Sequence, residues 1–423
     1  MKKKLLALGL AVVMVLSCAA CGNGSAGSNA DTKGSDKTQT QAPAENKAQT
    51  SGEDETATAA GDSGQTEQST AKAPEGIEPF VIGYPTAPSY NAVMSAMHKN
   101  REAIAAAAGG SLITEVFDFT PEGTVNAVEK LIQAGCNGVF VTPMADSILP
   151  TIVKLCEDNQ VYFVLSMRSV SDPEVKAIVE ASPMYAGDVY EDEVSAGYEM
   201  GKALAEAGGK NYAIIAPAIG DTTGSLREQG LAKAAEEFGM TQVAEIRAPE
   251  QASDSASAVE SFIASYPDLD GIIRLGSTAT GDVGAICTTL ENLGKAGDIK
   301  FITVDTEEGC DAYLASGTIT ATLNDLLVQD SIVAATLLVN AITGTPLTES
   351  TKEVALEYSK VENADDLTLY YEYIACDTPI FNTEEIQNTL LKVYNSEVTL
   401  KDVADMANAL TASSIKERKD AQK

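Results

Sequence analysis

The sequence predicts an α/β fold with two lobes of similar build, each a parallel β-sheet covered by helices. Apolar runs of five or six residues alternate with amphipathic stretches of helical spacing. Such uninterrupted apolar runs are typical of parallel strands that are buried on both faces. The runs occur in two successive sets, and 44% of the 423 residues are hydrophobic, which is enough for a substantial core.

The first set of predicted elements covers residues 80–166. Val93, Met97 and Ile104 recur at helical spacing, and Pro121 follows Thr120 at a position typical of the first turn of a helix. The predicted elements are strand 80–84, helix 91–108, strand 112–117, helix 120–134, strand 138–142, helix 147–159 and strand 161–166.

The second set resumes after Gly187 and repeats the same alternation. Its predicted elements are helix 195–207, strand 212–216, helix 227–238, strand 242–246, helix 256–265, strand 271–275, helix 281–293 and strand 300–304. Further along, the sequence predicts a strand over 370–374, helices over 384–394 and 401–410, and a frayed tail over 411–423. We expect that strand to join a lobe and those helices to pack on the outside.

Composition and charge exclude several functions. The chain has 29 Lys and Arg against 61 Asp and Glu, a net charge of −32, which disfavours binding to a phosphate backbone. The single histidine, His98, excludes metal sites that need two or three histidines. No Gly-x-x-x-x-Gly-Lys-Ser/Thr phosphate loop occurs, so the sequence suggests no cofactor and no metal.

The N-terminus is typical of a secreted lipoprotein. A basic segment, Lys2–Lys4, precedes an apolar run over 5–16 that is long enough for a signal peptide and too short to span a bilayer. Small residues precede Cys21, so we expect a signal peptide over 1–20 and lipidation of Cys21. Cys18 is the alternative lipidation site, and an ordinary secretory signal is the alternative interpretation.

The segment that follows the signal is expected to be disordered. From Gly22 to Gly76 there is no Val, Ile, Leu, Met, Phe, Tyr or Trp, so residues 21–76 are predicted to be a flexible linker. The five later cysteines are odd in number and form no Cys-x-x-Cys pair. They are expected to be buried small side chains, and a single disulfide stays open.

Residues that directly follow strands are the candidate ligand contacts, because open α/β sheets bind ligands beyond the carboxyl ends of their strands. These positions are Tyr84–Asn91, Arg168, Asp188, Gly224–Arg227, Ser277–Thr280 and Asp305. Their carboxylates, guanidinium groups and aromatic rings suit hydroxyl-rich ligands, which donate and accept hydrogen bonds and present weakly apolar faces.

Several of these segments occur in the order of a known family. They include Ile82–Tyr84 with Ser89–Asn91, Gly138–Pro143, Arg227–Gly230, Phe301–Asp305 and Ile319–Asp325. Over about 78–345 the chain resembles the type I periplasmic solute-binding proteins of ABC transporters, most closely the ribose- and galactose-binding branch. The resemblance implies two Rossmann-like lobes joined by a hinge of three crossings, near Gly187, near Asp325 and later in the chain. Lobe one would comprise 77–187 plus about 326–350, and lobe two 188–325 plus part of 351–410.

The same resemblance implies which residues contact the ligand. They are Tyr84, Tyr90, Asn91, Arg168, Asp188, Arg227, Thr278, Asp305 and Asp325. The alternatives are ion pairing for the arginines, helix or hinge capping for the aspartates, and packing for the tyrosines. Met167 stands where the ribose-type pattern has Asp, and the chain has no Trp, so the identity of the ligand stays open.

The expected function is extracytoplasmic solute binding without catalysis. A monomer anchored to the cell membrane by lipid would capture a small polar ligand, a sugar or polyol, and deliver it to ABC permease subunits, without binding nucleic acid. Hinge closure around the ligand would be the mechanism. The alternative is a sensory module that presents a small molecule to a receptor kinase or chemoreceptor. A hydrolase is a third reading, but the sequence offers no base for a nucleophile.

Overall fold

The computed structural model describes residues 74–88, 91–276, 278–307, 309–324, 326–347 and 351–422. The predicted signal peptide, Cys21 and most of the linker lie outside these residues, as do Tyr90 and Asp325. Among the described residues, no helix is long and apolar enough to cross a membrane.

The first lobe is built on a six-stranded sheet of order β11-β5-β4-β3-β1-β2. Its elements up to the first crossing are β1 (Val81–Thr86), α1 (Ala92–Ala107), β2 (Ser111–Val116), α2 (Pro121–Gln133), β3 (Gly138–Val141), α3 (Leu149–Asn159), β4 (Tyr162–Ser166), α4 (Pro173–Ala181) and β5 (Tyr185–Glu191). Thr120 caps α2 by accepting a hydrogen bond from Gly123 N, with Pro121 in the first turn as the sequence predicts.

The second lobe is built on a six-stranded sheet of order β12-β10-β9-β8-β6-β7. Its elements up to the second crossing are α5 (Glu193–Glu206), β6 (Asn211–Ala216), α6 (Thr222–Phe238), β7 (Thr241–Arg247), α7 (Ala252–Ser265), β8 (Gly271–Arg274), α8 (Asp282–Asn292), β9 (Lys300–Val304), α9 (Cys310–Ser316) and β10 (Ala321–Asn324). Two α/β sheets covered by helices confirm the predicted fold class.

The rest of the chain completes both sheets and adds helices. Its elements are α10 (Leu327–Ile342), β11 (Glu353–Leu356), β12 (Ser359–Val361), α11 (Ala364–Tyr373), α12 (Thr383–Thr389), α13 (Leu400–Ala409) and α14 (Ala412–Ala421). β11 pairs in parallel with β5, whereas β12 pairs antiparallel with β10. The chain therefore passes from one sheet to the other after β5, after β10 and between β11 and β12.

The first crossing lies later than predicted. The sequence places it near Gly187, but β5 continues through Asp188 to Glu191, so the crossing is at Asp192. Asp188 N donates to Lys352 O, and Asp188 pairs with Glu353 across the sheet, so this residue belongs to the middle of a strand in the first lobe.

Helix α10 is a buried central helix of the first lobe. All its residues from Val328 to Ala341 are buried, because the helix lies between the sheet, α1 and α13. The helix is apolar over most of its surface, as expected of such a position, and its buried polar side chains, Asp330 and Asn340 among them, form hydrogen bonds. The helix begins directly after the second crossing, so its first turn reaches the base of the space between the lobes.

Two expectations for the C-terminal region are wrong. Residues 370–374 form the end of α11 and its cap rather than a strand. The last residues form α14 rather than a frayed tail, because Ile415 is fully buried and Arg418 Nη1 pairs with Glu385 at 2.6 Å. The helix predicted over 384–394 is shorter, Thr383–Thr389, and the helix predicted over 401–410 is confirmed within one residue at each end.

Candidate ligand-binding cleft

A cavity of about 210 Å³ lies between the two lobes at the carboxyl ends of their strands. We call it the inner cavity. Residues at the ends of six strands line it: Tyr84, Phe117, Thr142, Met167, Asp305 and Asn324. In the first lobe these strands include β1 and β3, between which the strand order reverses, the place where open α/β sheets bind ligands.

Asn324 is a polar residue of this cavity whose side chain has no hydrogen-bond partner among the described residues. Its side chain is 3% exposed, and neither Nδ2 nor Oδ1 has a hydrogen-bond partner among the described residues. A buried amide without partners costs free energy that a ligand hydroxyl can recover, since the amide both donates and accepts. Asn324 ends β10 beside the second crossing, so it lies where the lobes meet.

Aromatic side chains form one side of the inner cavity. The Phe117 and Phe119 rings lie 4.4 Å apart, and Phe119 is 42% exposed. Phe119 has a φ of 56°, an uncommon conformation for a bulky residue, which holds its ring beyond the end of β2. Exposed aromatic rings at a cleft supply the flat apolar surface on which the C–H face of a sugar or polyol packs.

The floor of the cavity in the first lobe contains a buried cation. The Arg101 guanidinium lies 3.9 Å from the centre of the Tyr84 ring and 4.4 Å from that of Phe140. Its Nη2 donates to Ser166 Oγ at 3.2 Å. Tyr84 is therefore held in place from below by a cation–π contact, which is strong when desolvated.

Asp330, in the first turn of α10, supports the same floor. It accepts hydrogen bonds from Ser166 Oγ at 2.5 Å and from Met167 N at 2.9 Å. Complete burial raises the pKa of Asp330 to about 6, although its hydrogen bonds and the nearby Arg101 charge act to lower that pKa. Met167 has a φ of 74°, so this hydrogen bond stabilises an uncommon backbone conformation at the end of β4.

A larger, more open space of about 590 Å³ adjoins the inner cavity. We call it the outer cavity. It shares Asn91, Val93 and Thr306 with the inner cavity and is otherwise lined by Ala92 of α1 and by residues of α9, α11 and the β9–α9 loop. A small third cavity of about 60 Å³ lies beside Met167 and contains Arg168. The three cavities together extend along the space between the lobes.

The predicted contacts divide into three groups. Tyr84, Asn91 and Asp305 line the inner cavity, although Asn91 also caps α1 by accepting from Met94 N at 2.8 Å. Arg168 is exposed in the third cavity, which is also lined by Glu191 at the end of β5 and by Glu193 of the second lobe. The remaining described residues, Asp188, Arg227 and Thr278, line none of these three cavities.

The guanidinium group of Arg227 forms its hydrogen bonds with other residues of the protein. Its Nε pairs with Glu193 at 2.6 Å, Nη1 donates to Leu275 O at 2.7 Å, and Nη2 donates to Tyr358 Oη at 2.8 Å. Burial would lower the pKa of Arg227, but Tyr358, Glu193 and Asp305 raise it above its ordinary value. Glu193 and Tyr358 flank the first and third crossings, so Arg227 ties two hinge strands together.

Asp188 and Thr278 also have local roles. Asp188 is 2% exposed, and burial, with the nearby charges of Glu353 and Asp330, raises its pKa well above the usual range. Thr278 Oγ1 donates to Asp282 Oδ2 at 2.6 Å, beside the buried pair of Arg274 and Asp282. A ligand contact by either residue stays a prediction.

Sequence reasoning missed Asn324, Phe117 and Phe119. A signal was present for each, since Phe117 ends the apolar run 112–117 and Asn324 precedes Asp325 in the segment matched to the family. In the sequence-based prediction, the charged Asp325 rather than its neighbour Asn324 is the ligand contact. No pattern in the sequence shows which of the side chains at the ends of strands will lack a hydrogen-bond partner in the folded protein.

Comparison with known proteins decides the family. The model of the periplasmic binding protein domain matches residues 82–346, well over half of the chain. This chain is a member of the periplasmic binding protein family. The family consists of extracytoplasmic binding proteins that are not enzymes, and the match confirms both the resemblance and the expected absence of catalysis.

Solved structures share the fold at low sequence identity. A periplasmic ribose ABC transporter protein from Conexibacter woesei is 13% identical, with a TM-score of 0.60 over 73% of this chain and 100% of that one. A solute-binding protein from Actinobacillus succinogenes with bound D-allose is 20% identical, with a TM-score of 0.56 over 68% and 98%. One from Agrobacterium vitis, bound to α-D-tagatopyranose, is 19% identical, with a TM-score of 0.56 over 68% and 96%. No curated protein sequence matches the chain.

Proposed function

We propose that this protein is a lipid-anchored, extracytoplasmic binding protein that captures a carbohydrate or polyol in the inner cavity and delivers it to an ABC importer. The observation that carries the ligand-binding part is Asn324, a buried amide at the junction of the lobes whose side chain has no hydrogen-bond partner among the residues that the structure describes. Its cavity combines that amide with the Asp305 carboxylate and the Phe119 ring.

The chemical class of the ligand follows from this combination. A sugar or polyol hydroxyl can donate to Asp305 or Asn324 Oδ1 and accept from Asn324 Nδ2, while its C–H face packs on an aromatic ring. Similar solved structures hold bound D-allose, α-D-tagatopyranose and myo-inositol, which supports the same class here. These three structures are of ABC transporter solute-binding proteins, which supports delivery to an importer.

A thermal-shift screen of the purified full-length protein tests the ligand class. The panel contains D-ribose, D-allose, D-tagatose, D-arabinose and myo-inositol, with amino acids and nucleosides as competing classes. A ligand at a hundred times its Kd stabilises the folded state by about 2.7 kcal/mol. A shift with amino acids and none with any sugar or polyol would show that the ligand class is wrong.

Asn324→Ala tests the site within the same screen. Losing two ligand hydrogen bonds should weaken binding about tenfold to a hundredfold. Because the amide has no hydrogen-bond partner among the described residues, the melting temperature without ligand should change little. Asn292→Ala is the matched control, since Asn292 is exposed at the end of α8 and lines none of the three cavities. Unchanged affinity in Asn324→Ala would remove Asn324 from the site.

Membrane anchoring is tested at the N-terminus. The sequence Ala19-Ala20-Cys21-Gly22 after an apolar run supports lipidation of Cys21. Cys21→Ala should release the protein from the membrane fraction of the cells that make it, and Cys18→Ala should leave it there. Release by Cys18→Ala alone would move the anchor to Cys18, and retention of the double variant would argue against a lipid anchor.

A further inference from the structure

Helix α11 closes one side of the cleft, although it lies outside the part of the chain that matches the family. The family match ends at residue 346, and the similar solved structures cited above cover 68–73% of the chain. Residues 364–373 of α11 follow β12 and pack against α9 of the second lobe and against α14. Through this packing α11 reaches both the inner and the outer cavity.

Two consecutive tyrosines of α11 occupy the boundary of these cavities. Tyr370 lines the inner cavity and is 6% exposed, so its side chain lies inside the protein. Tyr371 lines the outer cavity, and its hydroxyl lies 2.9 Å from Thr306 Oγ1 in the β9–α9 loop. The two rings contact edge to face, with their centres 5.4 Å apart. Movement of one ring would therefore disturb the other.

The segment that follows α11 is hydrogen-bonded to helix α1 of the first lobe. Asp377 accepts a hydrogen bond from Ser95 Oγ of α1 at 2.5 Å, and Ile380 N donates to Asn100 Oδ1 at 2.9 Å. Helix α12 then packs along α1. Because α11 contacts the second lobe and the next residues contact the first, this part of the chain spans the cleft.

We propose that α11 is a third wall of the ligand site, with Tyr370 in contact with the bound ligand and Tyr371 holding the wall against the second lobe. The Tyr370 ring supplies, from outside the two lobes, an apolar surface facing the same cavity as Phe117 and Asn324. The contact with ligand rests on the proposed function, whereas the position of the wall does not. The experiment therefore measures the two separately.

The wall is tested without any ligand. Thr142→Cys places one accessible thiol in the inner cavity of a parent protein that also carries Cys18→Ser, Cys21→Ser and Cys376→Ser, because the other cysteines are buried. The rate of labelling with N-ethylmaleimide reports access to the cavity. Tyr371→Phe, which removes the hydrogen bond to Thr306, should raise that rate severalfold. Tyr373→Phe is the control on the same helix, since Tyr373 lines none of these cavities. An equal labelling rate in Tyr371→Phe and the parent would contradict the proposal that α11 is a wall of the ligand site.

The ligand contact is tested by protection of the same thiol. The sugars and polyols of the panel above are titrated against labelling, and the one that protects best is the probe. Tyr370→Leu keeps the apolar volume but loses the ring, and the midpoint of protection should rise about tenfold. An unchanged midpoint would overturn the contact. If no panel compound protects the parent protein, the sugar class of the proposed function is wrong, and the labelling rates of the Tyr371 variants still decide the wall.

Discussion

The two lobes have the same strand order but stabilise their buried charges differently. In each sheet the first five strands of the lobe lie in the order 5-4-3-1-2, with a late strand added at the edge. The second lobe pairs its buried arginines with carboxylates: Arg274 Nε with Asp282 and Arg227 Nε with Glu193, both at 2.6 Å. The first lobe stacks its buried Arg101 on two aromatic rings.

The buried carboxylates differ in the same way. Asp282 of the second lobe is fully buried but accepts hydrogen bonds from Arg274 Nε and Thr278 Oγ1. Asp330 and Asp188 of the first lobe are equally buried, and among the described residues no cation lies within ion-pair distance of either. A common backbone plan therefore does not dictate how buried charge is stabilised inside it.

The largest effect is expected for Asp282→Ala in the second lobe. The substitution leaves Arg274, which is 5% exposed, without the carboxylate at 2.6 Å. Breaking a buried pair in this way should lower the free energy of unfolding by about 3–5 kcal/mol. Urea denaturation measures it. The control is Asp158→Ala, which breaks the exposed pair with Lys154 and should cost less than about 1 kcal/mol. Similar losses in both variants would contradict the role assigned to burial.

Arg101→Met should have an intermediate effect in the first lobe. Methionine keeps much of the apolar stem, but the contacts with Tyr84, Phe140 and Ser166 are lost. A desolvated cation–π contact is worth about 2 kcal/mol, and we expect a loss of that size in the free energy of unfolding. A loss as large as that of Asp282→Ala would mean that Arg101 acts as an ion-pair partner rather than by stacking, and the contrast between the lobes would disappear.

Asp188→Asn should have the smallest effect and the opposite sign at neutral pH. Burial, reinforced by Glu353 and Asp330 and opposed by Lys176, holds the pKa of Asp188 well above its ordinary value near 3.8. Above pH 4 the unfolded chain therefore releases a proton that the folded protein retains, so the free energy of unfolding falls as pH rises through the raised pKa. Asp330 contributes a fall of the same sign that ends near its pKa of about 6.

Removing the Asp188 carboxylate should remove its part of that fall. We expect Asp188→Asn to raise the free energy of unfolding by about 1 kcal/mol at pH 7 and to leave it nearly unchanged near pH 4. Urea denaturation across this range measures the difference, with Asp158→Asn as an exposed control. A difference that is the same at every pH would show that the titration of Asp188 is not its cause.

Four strands in each lobe, β1–β4 and β6–β9, could be predicted because their apolar runs are continuous, as in Gly271–Leu275. The predicted elements contain no strand at β5, β10, β11 or β12. β5 was missed because Gly187 and Asp188 interrupt its pattern, and only the partner strands on either side show it to be a strand. The strand predicted over 370–374 followed the strand propensity of tyrosine and isoleucine. The helix forms instead because Asn363 caps it and because Leu367 and Tyr370 are buried on one face.

The candidate site was less predictable than the fold. Position after a strand identified Tyr84, Asn91 and Asp305 as lining residues, since the carboxyl edge of a parallel sheet follows from strand order alone. Arg227 has the chemistry of a ligand contact, yet its donors reach Glu193 and Tyr358. Those contacts join residues 34 and 131 positions apart in the chain, and no local pattern encodes them.

The short stretch between α11 and Asp377 limits how wide the entrance to the cleft can become. Four peptide units join Tyr373, at the end of the helix that packs on α9, to Asp377, which accepts the hydrogen bond from Ser95 of α1. Four units can span at most about 14 Å when fully extended. A rotation of the lobes that parted this edge further would have to detach α11 or Asp377. On this side of the molecule the size of an entering solute is therefore bounded by chain length rather than by the stiffness of the hinge.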